Sequence, residues 1–427
     1  MAGKFSFVFS DFLTDEELQE IANSVKASPK GKLIINCLYL LAGNGHYRGA
    51  SAVARAAEIT NAELHRRKLL SESEQIVPKL IYAPALLSGI GARLVEWAAR
   101  DLYETLSRAL FFQYSWNEAS REMAENSRLD TMSIITRKLV EISRLKTHLE
   151  GVVLSFHFVP GDIFYKYPQY ANRFAIIPLD DAVYPSFVRK ETGNYFVGSE
   201  KCAQDVIRAL SVYGVPSDRS LKMVKITGQP ISPDSIRGAP WGPEETARET
   251  PRYVVAMGGA GAQLPQMEKL LSSYTKYSGK RPEIVFYVGH HFEAAKKLES
   301  LGCPDGIRIV KNSSRLDAIA GLAEEIRDCD ALITKPSELS FYPAPIYSLP
   351  PIGYHEEMNI ATAILEKRGR VVHSLWDIPL DPVEELAIYE DDLERMQKSA
   401  LTKNPNLSGA FRIVKEACKL APAGKTE

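Results

Sequence analysis

The segment LIINCLYLLAGNGHYRGASAVARAA (33–57) contains the pattern that predicts the fold. Its opening run, LIINCLYLL, is almost entirely apolar, and it is too short and too rich in strand-favouring residues for a helix, so it predicts a buried strand. A glycine-containing turn with a histidine follows, and then an alanine-rich run that predicts a helix. In α/β proteins such strand–turn–helix units lie side by side, and their turns meet at the carboxyl edge of a parallel sheet.

The alternation of strand and helix continues along the chain. A capping pattern at Thr14 predicts a helix over 13–26. Apolar runs predict further strands at 152–159, 174–179, 195–199, 253–259, 283–289, 307–312, 331–336, 344–350 and 370–374. Helical segments lie between these runs, notably over 84–150. The pattern predicts an α/β protein with doubly wound parallel sheets covered by helices.

A change of composition divides the chain. The segment 229–252 is rich in proline and has no periodic apolar pattern, which is typical of a connection between domains. We predict an N-terminal domain over 1–235, a linker over 236–252 and a C-terminal domain over 253–394, with 395–427 packing back on the first domain. A chain of 427 residues is also longer than one hydrophobic core usually supports.

Composition argues against several classes of protein. The 52 basic and 53 acidic residues nearly cancel, so no overall basic field indicates a nucleic-acid partner. The five cysteines show no CxxC spacing, which argues against a zinc site or a disulfide framework and fits a reducing cytosol. The longest apolar runs reach only about half of the ~20 residues that a membrane-spanning helix needs. We predict a cytoplasmic protein.

Three glycine- or polar-rich turns carry the residues with chemical potential. In Gly43-Asn44-Gly45-His46, backbone amides and a helix start would accept a polar ligand, and a histidine suits proton transfer near neutral pH; a solvated loop histidine is the alternative. MGGAGAQ (257–263) would cradle a diphosphate, or is a structural turn without the GxGxxG spacing. The carboxylates of GYHEEMN (353–359) would bind sugar hydroxyls, or simply complement a helix dipole.

Seven segments, taken in order, resemble one branch of the GT-B glycosyltransferases, which contains the monogalactosyldiacylglycerol synthases, the bacterial diacylglycerol glucosyltransferases and the MurG-like enzymes. In that branch the first strand ends in a GGGH-type loop before an alanine-rich helix, as AGNGHYRGASAVARAA does. The other segments are SFHFVP (155–160), IPLDDAVYP (177–185), YFVGSEKCAQDVIRALSVYGVPSDR (195–219), KITGQPISPDS (225–235), MGGAGAQ (257–263) and the run from ITKP to GYHEEMN (333–359).

The resemblance implies two Rossmann-like domains that face a cleft. It also implies an inverting, metal-independent transfer of a sugar from a nucleotide-sugar donor to a lipid or lipid-linked acceptor, without a cofactor. His46 would be the catalytic base, with Asp180 or Asp181 as the alternative. The implied substrate- and donor-binding residues are Gly43, Asn44, Gly45, Gly258, Gly259, Gly261, Gln263, Lys335, Ser340, His355, Glu356, Glu357 and Asn359.

Two departures from the family pattern lie on the donor side. The family's glycine-rich KAGxGT loop is replaced by 335–340, which contains neither glycine, and the glutamate that binds the donor's ribose aligns with Pro343. Proline has no side-chain group that would accept the ribose hydroxyls. Two alternatives therefore stand beside the transferase: a GT-B-fold binding or scaffold protein that has lost its donor site, and a sugar-nucleotide epimerase or hydrolase.

The apolar and aromatic segment 77–115 is the candidate for contact with lipid. Arginines are interspersed among its apolar residues, which is compatible with shallow, reversible insertion at the inner face of the membrane. The alternative is a buried helical face, since Leu102, Leu106 and Leu110 repeat at helical spacing.

Overall fold

A computed structural model gives the fold of this chain. It describes residues 9–41, 44–97, 121–122, 134, 137–138, 140–141, 143–164, 166–189, 193–236, 249–258, 261, 263–351, 353–375, 380–402 and 404–421.

The strands and helices alternate along most of the described chain. The strands are β1 (Lys32–Tyr39), β2 (Gln75–Tyr82), β3 (Leu87–Ser88), β4 (Arg144–Leu145), β5 (Val152–Ser155), β6 (Phe174–Ile176), β7 (Asn194–Val197), β8 (Val224–Ile226), β9 (Arg252–Ala256), β10 (Glu283–Gly289), β11 (Ile307–Lys311), β12 (Ala331–Thr334), β13 (Ile346–Ser348) and β14 (Gly369–Val371). The helices are α1 (Asp15–Ala27), α2 (Gly45–Arg66), α3 (Ile90–Trp97), α4 (Phe158–Phe164), α5 (Glu200–Val212), α6 (Ser217–Met223), α7 (Pro233–Ile236), α8 (Leu264–Lys276), α9 (Phe292–Ser300), α10 (Arg315–Arg327), α11 (Tyr354–Leu365), α12 (Pro382–Thr402) and α13 (Gly409–Lys419).

The chain forms two compact units. The first contains the described residues up to 233 together with 405–421, and the second contains 234–404. Each unit is built on a six-stranded sheet in which every pair of neighbouring strands is parallel. The predicted α/β class, with two doubly wound parallel-sheet domains, is confirmed.

The strand orders define the switch point of each sheet. The first sheet has the order β2-β1-β5-β6-β7-β8, and the second has the order β11-β10-β9-β12-β13-β14. The first order is that of flavodoxin-like sheets, and the second is that of the Rossmann dinucleotide fold. The direction of winding reverses between β1 and β5 in the first unit and between β9 and β12 in the second. Ligands of open α/β sheets bind at such switch points, beyond the carboxyl ends of the strands.

Strand β1 is buried on both faces of its sheet. Cys37 contributes to an apolar cluster with α1, α2 and α13, whereas its neighbour Leu38 contributes to a cluster on the opposite face with α4 and α5. Successive strand residues point to opposite faces, so a strand covered by helices on both sides must be apolar throughout. This requirement explains why the run LIINCLYLL (33–41) has so few polar residues.

The helix α13 belongs to the core of the first unit. Phe411 is fully buried there, and its ring lies 5.4 Å from that of Phe9 and 5.3 Å from that of Phe12. On the neighbouring helix α2, Gly49 permits close packing because a Cβ at this position would lie 2.9 Å from Leu179 Cδ2. A segment from the end of the described chain thus completes a core that begins at its start.

Sequence patterns located ten of the fourteen described strands and missed four. The predicted helix over 13–26 is confirmed as α1, whose first turn has the capping box of Thr14 and Glu17. The edge strands β2 and β8 were not predicted, nor were the short strands β3 and β4, which pair with each other inside the segment 84–150 that was expected to be helical. The predicted strand over 152–159 ends at Ser155 because α4 begins at Phe158. Residues 98–115 of the candidate lipid-contact segment lie outside the described residues. Among the helices that are described, none has both the length and the apolar composition required to cross a membrane.

Replacing Phe411 tests whether α13 is part of the first core. We expect Phe411→Ala to lower the free energy of unfolding by about 3–5 kcal/mol, because the substitution leaves a cavity among fully buried residues. Urea unfolding would measure the loss. Arg412→Ala, at an exposed position on the same helix, is the matched control and should change stability by no more than about 0.5 kcal/mol. Equal effects of the two substitutions would contradict this account.

Candidate functional site

Two histidines meet at the switch point of the first sheet. His46 is the second residue of α2, which follows β1, and His157 lies between β5 and α4. Their rings are perpendicular, with centroids 4.5 Å apart. Since β1 and β5 are the two strands between which the winding reverses, this histidine pair lies where a ligand of the sheet would bind.

The hydrogen bond of His157 defines its protonation. The backbone N–H of Val159 donates to His157 Nδ1 over 3.2 Å, so this nitrogen carries a lone pair and the ring's proton lies on Nε2. The rings of Phe158 and Phe187 pack against the imidazole, with centroids 4.3 and 6.0 Å away. His157 is therefore held as a neutral imidazole of one tautomer.

Burial lowers the pKa of His157 well below its usual range, and the neighbouring His46 lowers this pKa further. A proton added to His157 would also break the bond from Val159 and would repel a charge on His46. His157 consequently stays neutral near neutral pH.

The remaining residues of the predicted loop surround the start of α2. Asn44 lies at the N-cap and is 7% exposed, and its Oδ1 is buried with no hydrogen-bond partner among the residues that the structure describes. Gly45 is the first residue of the helix, and Gly43 lies outside the described residues. The first turn of α2 thus presents a buried amide oxygen beside the histidine pair.

The two aspartates lie after β6 and are fixed to α5. The Sγ of Cys202 donates to the carbonyl oxygen of Asp180 over 3.0 Å and lies 3.9 Å from Asp181 Oδ1. The side-chain amide of Gln229 donates to the same carbonyl over 3.3 Å. Asp181 is buried, and its charge together with burial raises the pKa of the Cys202 thiol. These contacts give the aspartates a role in attaching this loop to α5, and their catalytic role stays a prediction.

The glycine loop of the second unit is closed by its own hydrogen bonds. Gly258 N–H donates to the buried Gln263 Oε1, and Gly261 N–H donates to Gly258 O, each over 2.9 Å. Gly261 has φ +74°, which favours glycine. Gln263 is the N-cap of α8, whose first turn contains Pro265, and Gly259 lies outside the described residues. Two of the loop amides predicted to bind phosphate are thus already satisfied within the loop.

A lysine–glutamate ion pair lies beside this loop at the switch point. Lys335 follows β12, and its ammonium is paired with the carboxylate of Glu356 on α11, which is 1% exposed. His355 Nε2 lies 3.9 Å from the same carboxylate. A Cβ at Gly258 would lie 3.0 Å from Lys335 Cε, so the lysine side chain runs directly along the loop. The pair is net neutral, but it fixes the Lys335 ammonium where an anion would meet the end of β9.

Other predicted donor residues hold the surrounding backbone. The Asn359 side-chain amide donates to the carbonyl of Pro336 over 2.9 Å and so fixes the turn that carries Lys335. Ser340 is fully buried, and its carbonyl accepts from the buried guanidinium of Arg368. Glu357 is half-buried in the first turn of α11.

The segment that replaces the family's glycine-rich loop forms a short 3-10 turn (Glu338–Phe341), and Pro343 is buried between this turn and β13. A helix does not form at this place in the described chain. The donor side therefore retains a positive charge but presents no carboxylate at position 343.

Two histidines in the site were absent from the predicted residues. His157 was recognised only as part of the SFHFVP resemblance. His291 follows β10, and its ring lies beside the glycine loop, since a Cβ at Gly261 would be 3.2 Å from His291 Cε1. His291 lies two residues after the strand predicted over 283–289, which is a signal that would have identified it, whereas His157 lay within the strand predicted over 152–159. Within the described ranges, no group of three or more His, Cys, Asp or Glu side chains is arranged to bind a metal ion.

Comparisons with known proteins concern the fold and one segment of the chain. A family model described as a domain of unknown function (DUF6938) matches residues 303–421. None of the curated proteins compared with the chain matches its sequence.

Solved structures with a similar course include MurG of Acinetobacter baumannii, with 14% identity over 91% of this chain and 99% of that one, at a TM-score of 0.45. The match to the UDP-GlcNAc 2-epimerase of Methanocaldococcus jannaschii covers 90% of this chain and 99% of that one, with 13% identity and a TM-score of 0.43. The match to the Neisseria meningitidis UDP-GlcNAc 2-epimerase bound to UDP-GlcNAc covers 90% of this chain and 99% of that one, with 12% identity and a TM-score of 0.45. The fold assignment itself rests on the strand orders of the two sheets.

The lowered pKa of His157 predicts a pH-dependent stability. The unfolded chain protonates this histidine near pH 6.5, whereas the folded protein does so only at lower pH, so the unfolded state binds more protons between these values. The contribution of neutral His157 to the free energy of unfolding should be fully present above about pH 6.5. Below that pH the free energy of unfolding should fall by up to about 1.4 kcal/mol per pH unit.

His157→Phe keeps an aromatic ring but removes the titration. Urea unfolding between pH 5 and 8 should give a smaller slope for the variant, while the difference at pH 8 reports the lost bond from Val159. Parallel curves for the two proteins would show that His157 does not resist protonation.

Proposed function

We propose that this chain transfers a sugar from a nucleotide-sugar donor to a hydroxyl group of a lipid or lipid-linked acceptor. The observation that carries the proposal is the ion pair of Lys335 and Glu356 beside the glycine loop of the second sheet. An ammonium held at a Rossmann switch point matches the charge and the usual position of a nucleotide's diphosphate.

The donor half of the proposed reaction rests on this charge. Glu356 is almost fully buried and fixes the ammonium of Lys335, which limits the reorganisation needed when negative charge develops. Charge would develop on the diphosphate as the bond to the anomeric carbon breaks. We propose that the ammonium, with the orphan amides of the first turn of α8, stabilises this leaving group without a metal ion.

The acceptor half rests on the histidine pair. His46 would accept the proton of the acceptor hydroxyl, and the resulting oxygen would attack the anomeric carbon from the face opposite the diphosphate, which inverts the configuration. Neutral His157 would leave His46 as the one proton carrier of the pair. The products are the glycosylated acceptor, a nucleoside diphosphate and a proton held by His46.

A second candidate is a binding or scaffold protein on the same fold that has lost its donor site. Two observations favour it: the amides of Gly258 and Gly261 are satisfied within the loop, and the segment around Pro343 offers no ribose-binding carboxylate at that position. An epimerase or hydrolase acting on a sugar nucleotide would use the same lysine and histidines. The two experiments below separate these activities.

A panel of nucleotide sugars tests the donor site. With UDP-, GDP-, TDP- and CDP-sugars at millimolar concentration, at least one should raise the melting temperature, because a ligand at a hundredfold its Kd stabilises the folded state by about 2.7 kcal/mol. Lys335→Met should weaken binding roughly tenfold or more by removing the charge-assisted contact. Lys296→Met, which removes an exposed lysine of the same unit, is the matched control and should leave the shift unchanged. Absence of a shift with every donor would overturn the proposal.

Substitution of His46 tests the proton transfer. We expect His46→Ala to lower the rate of transfer by about 10²–10⁴-fold, the usual contribution of a general base, while the donor-induced melting shift persists. Release of nucleoside diphosphate from the stabilising donor would measure the rate, in mixed micelles with and without each of three acceptors: diacylglycerol, a glycosyl diacylglycerol and phosphatidylinositol. Loss of both the rate and the shift would assign His46 a structural role. Release that does not depend on the acceptor would indicate a hydrolase, and conversion of the donor without release would indicate an epimerase.

A further inference from the structure

Three tyrosines gather at the carboxyl edge of the first sheet. Tyr39 and Tyr82 are the last residues of β1 and β2, and they lie opposite each other in the parallel register. Tyr47 follows His46 on α2. The ring of Tyr39 is 4.9 Å from that of Tyr47, nearly perpendicular to it, and 5.8 Å from that of Tyr82. The tyrosines thus form a continuous aromatic surface beside the histidine pair.

This tyrosine cluster is polar as well as aromatic. Each side chain is half-buried, so part of each ring is open to a ligand. The Tyr82 hydroxyl donates to Glu96 Oε1 over 3.3 Å, which places a carboxylate at the rim. In the described part of the chain, the Tyr39 and Tyr47 hydroxyls form no hydrogen bond. Burial and the adjacent Tyr47 raise the pKa of Tyr39, so its hydroxyl remains a donor at neutral pH.

The chemistry of this surface matches one class of ligand. An acyl chain would cover the rings but would remove the hydroxyls and the Glu96 carboxylate from water without replacing their hydrogen bonds, which is unfavourable. A sugar or cyclitol ring has an apolar C–H face that packs on aromatic rings and a rim of hydroxyls that bond to phenols and carboxylates. Its size also suits a surface built from three side chains.

We infer that Tyr39, Tyr47, Tyr82 and Glu96 bind a hydroxylated ring, a sugar or a cyclitol. The inference rests on the proposed function only in identifying this ring as part of the acceptor. Tyr47 and His46 both lie in the first turn of α2, so a ring held on the tyrosine cluster and the proposed base would be at the same edge of the sheet. The accepting group of the lipid would then be a glycosylated or cyclitol head group rather than the glycerol of a bare diacylglycerol.

Saturation-transfer NMR with small probes tests the inference without a donor. Methyl β-glucoside and myo-inositol are the ring probes, and glycerol and sodium octanoate represent a free polyol and an acyl chain. We expect saturation of at least one ring probe and not of glycerol, and no competition by octanoate. Tyr39→Leu and Tyr47→Leu, which keep apolar volume but remove the ring, should each raise the Kd of that probe roughly two- to tenfold.

Two further variants control for folding and for position. Tyr47→Phe keeps the ring and should weaken binding less than Tyr47→Leu, and it remains informative if the leucine variant does not fold. Tyr213→Leu, at a half-buried tyrosine of α5's C-cap, should leave binding unchanged.

The inference is overturned if neither ring probe is saturated, if glycerol or octanoate binds as well as the ring probes, or if the Tyr39 and Tyr47 variants bind them as the unaltered protein does. Its failure is separate from that of the proposed function: a donor-induced melting shift without ring binding refutes only the ring site, and ring binding without any donor shift refutes only the transferase.

Discussion

The parallel arrangement of both sheets is the constraint on which the other features depend. In a parallel sheet all strands end at the same edge, and each reversal of winding leaves two adjacent strand ends whose helices lie on opposite faces. In this chain those strand ends carry the chemically capable side chains. His46 and His157 follow β1 and β5 in the first unit, and Lys335 lies beside Gly258 where β12 and β9 end in the second. Residues distant in sequence meet because the topology brings their strands together.

The ion pair of Lys335 and Glu356 is better explained by position than by stability. Removing two charges from water costs about as much as their attraction returns, so a buried pair contributes little net stability. What it does provide is a fixed ammonium, since the carboxylate is enclosed and cannot follow the lysine into solvent. The same lysine packs against glycine at position 258, where a Cβ would lie 3.0 Å from both Gln263 Oε1 and Lys335 Cε and would require these side chains to shift. A glycine in a nucleotide-type loop therefore reflects packing here as well as ligand approach.

Sequence patterns predicted the sheets well because buried parallel strands are continuous apolar runs. The edge strand β2 was not predicted because Pro78 interrupts its apolar pattern. Proline is tolerated in an edge strand, which needs no hydrogen bonds on its outer side. The residues of the site were only partly predictable. Lys335, Glu356 and Asn359 were identified by resemblance, but the pairing of His46 with His157 depends on the register of β1 and β5, which spacing does not specify. The closure of the glycine loop by Gln263 is likewise a side-chain contact that composition cannot reveal.

The position of α13 has a consequence for folding during synthesis on the ribosome. The first unit lacks Phe411 and its helix until the whole of the second unit has been synthesised. At ribosomal rates of about 5–20 residues per second, this interval lasts roughly ten to thirty seconds. During that time the surfaces of α1 and α2 that pack on α13 have no cover, so the nascent chain presents an apolar surface to the cell. Synthesis and chaperone capacity, rather than the final stability of the fold, would then limit the yield of the native protein.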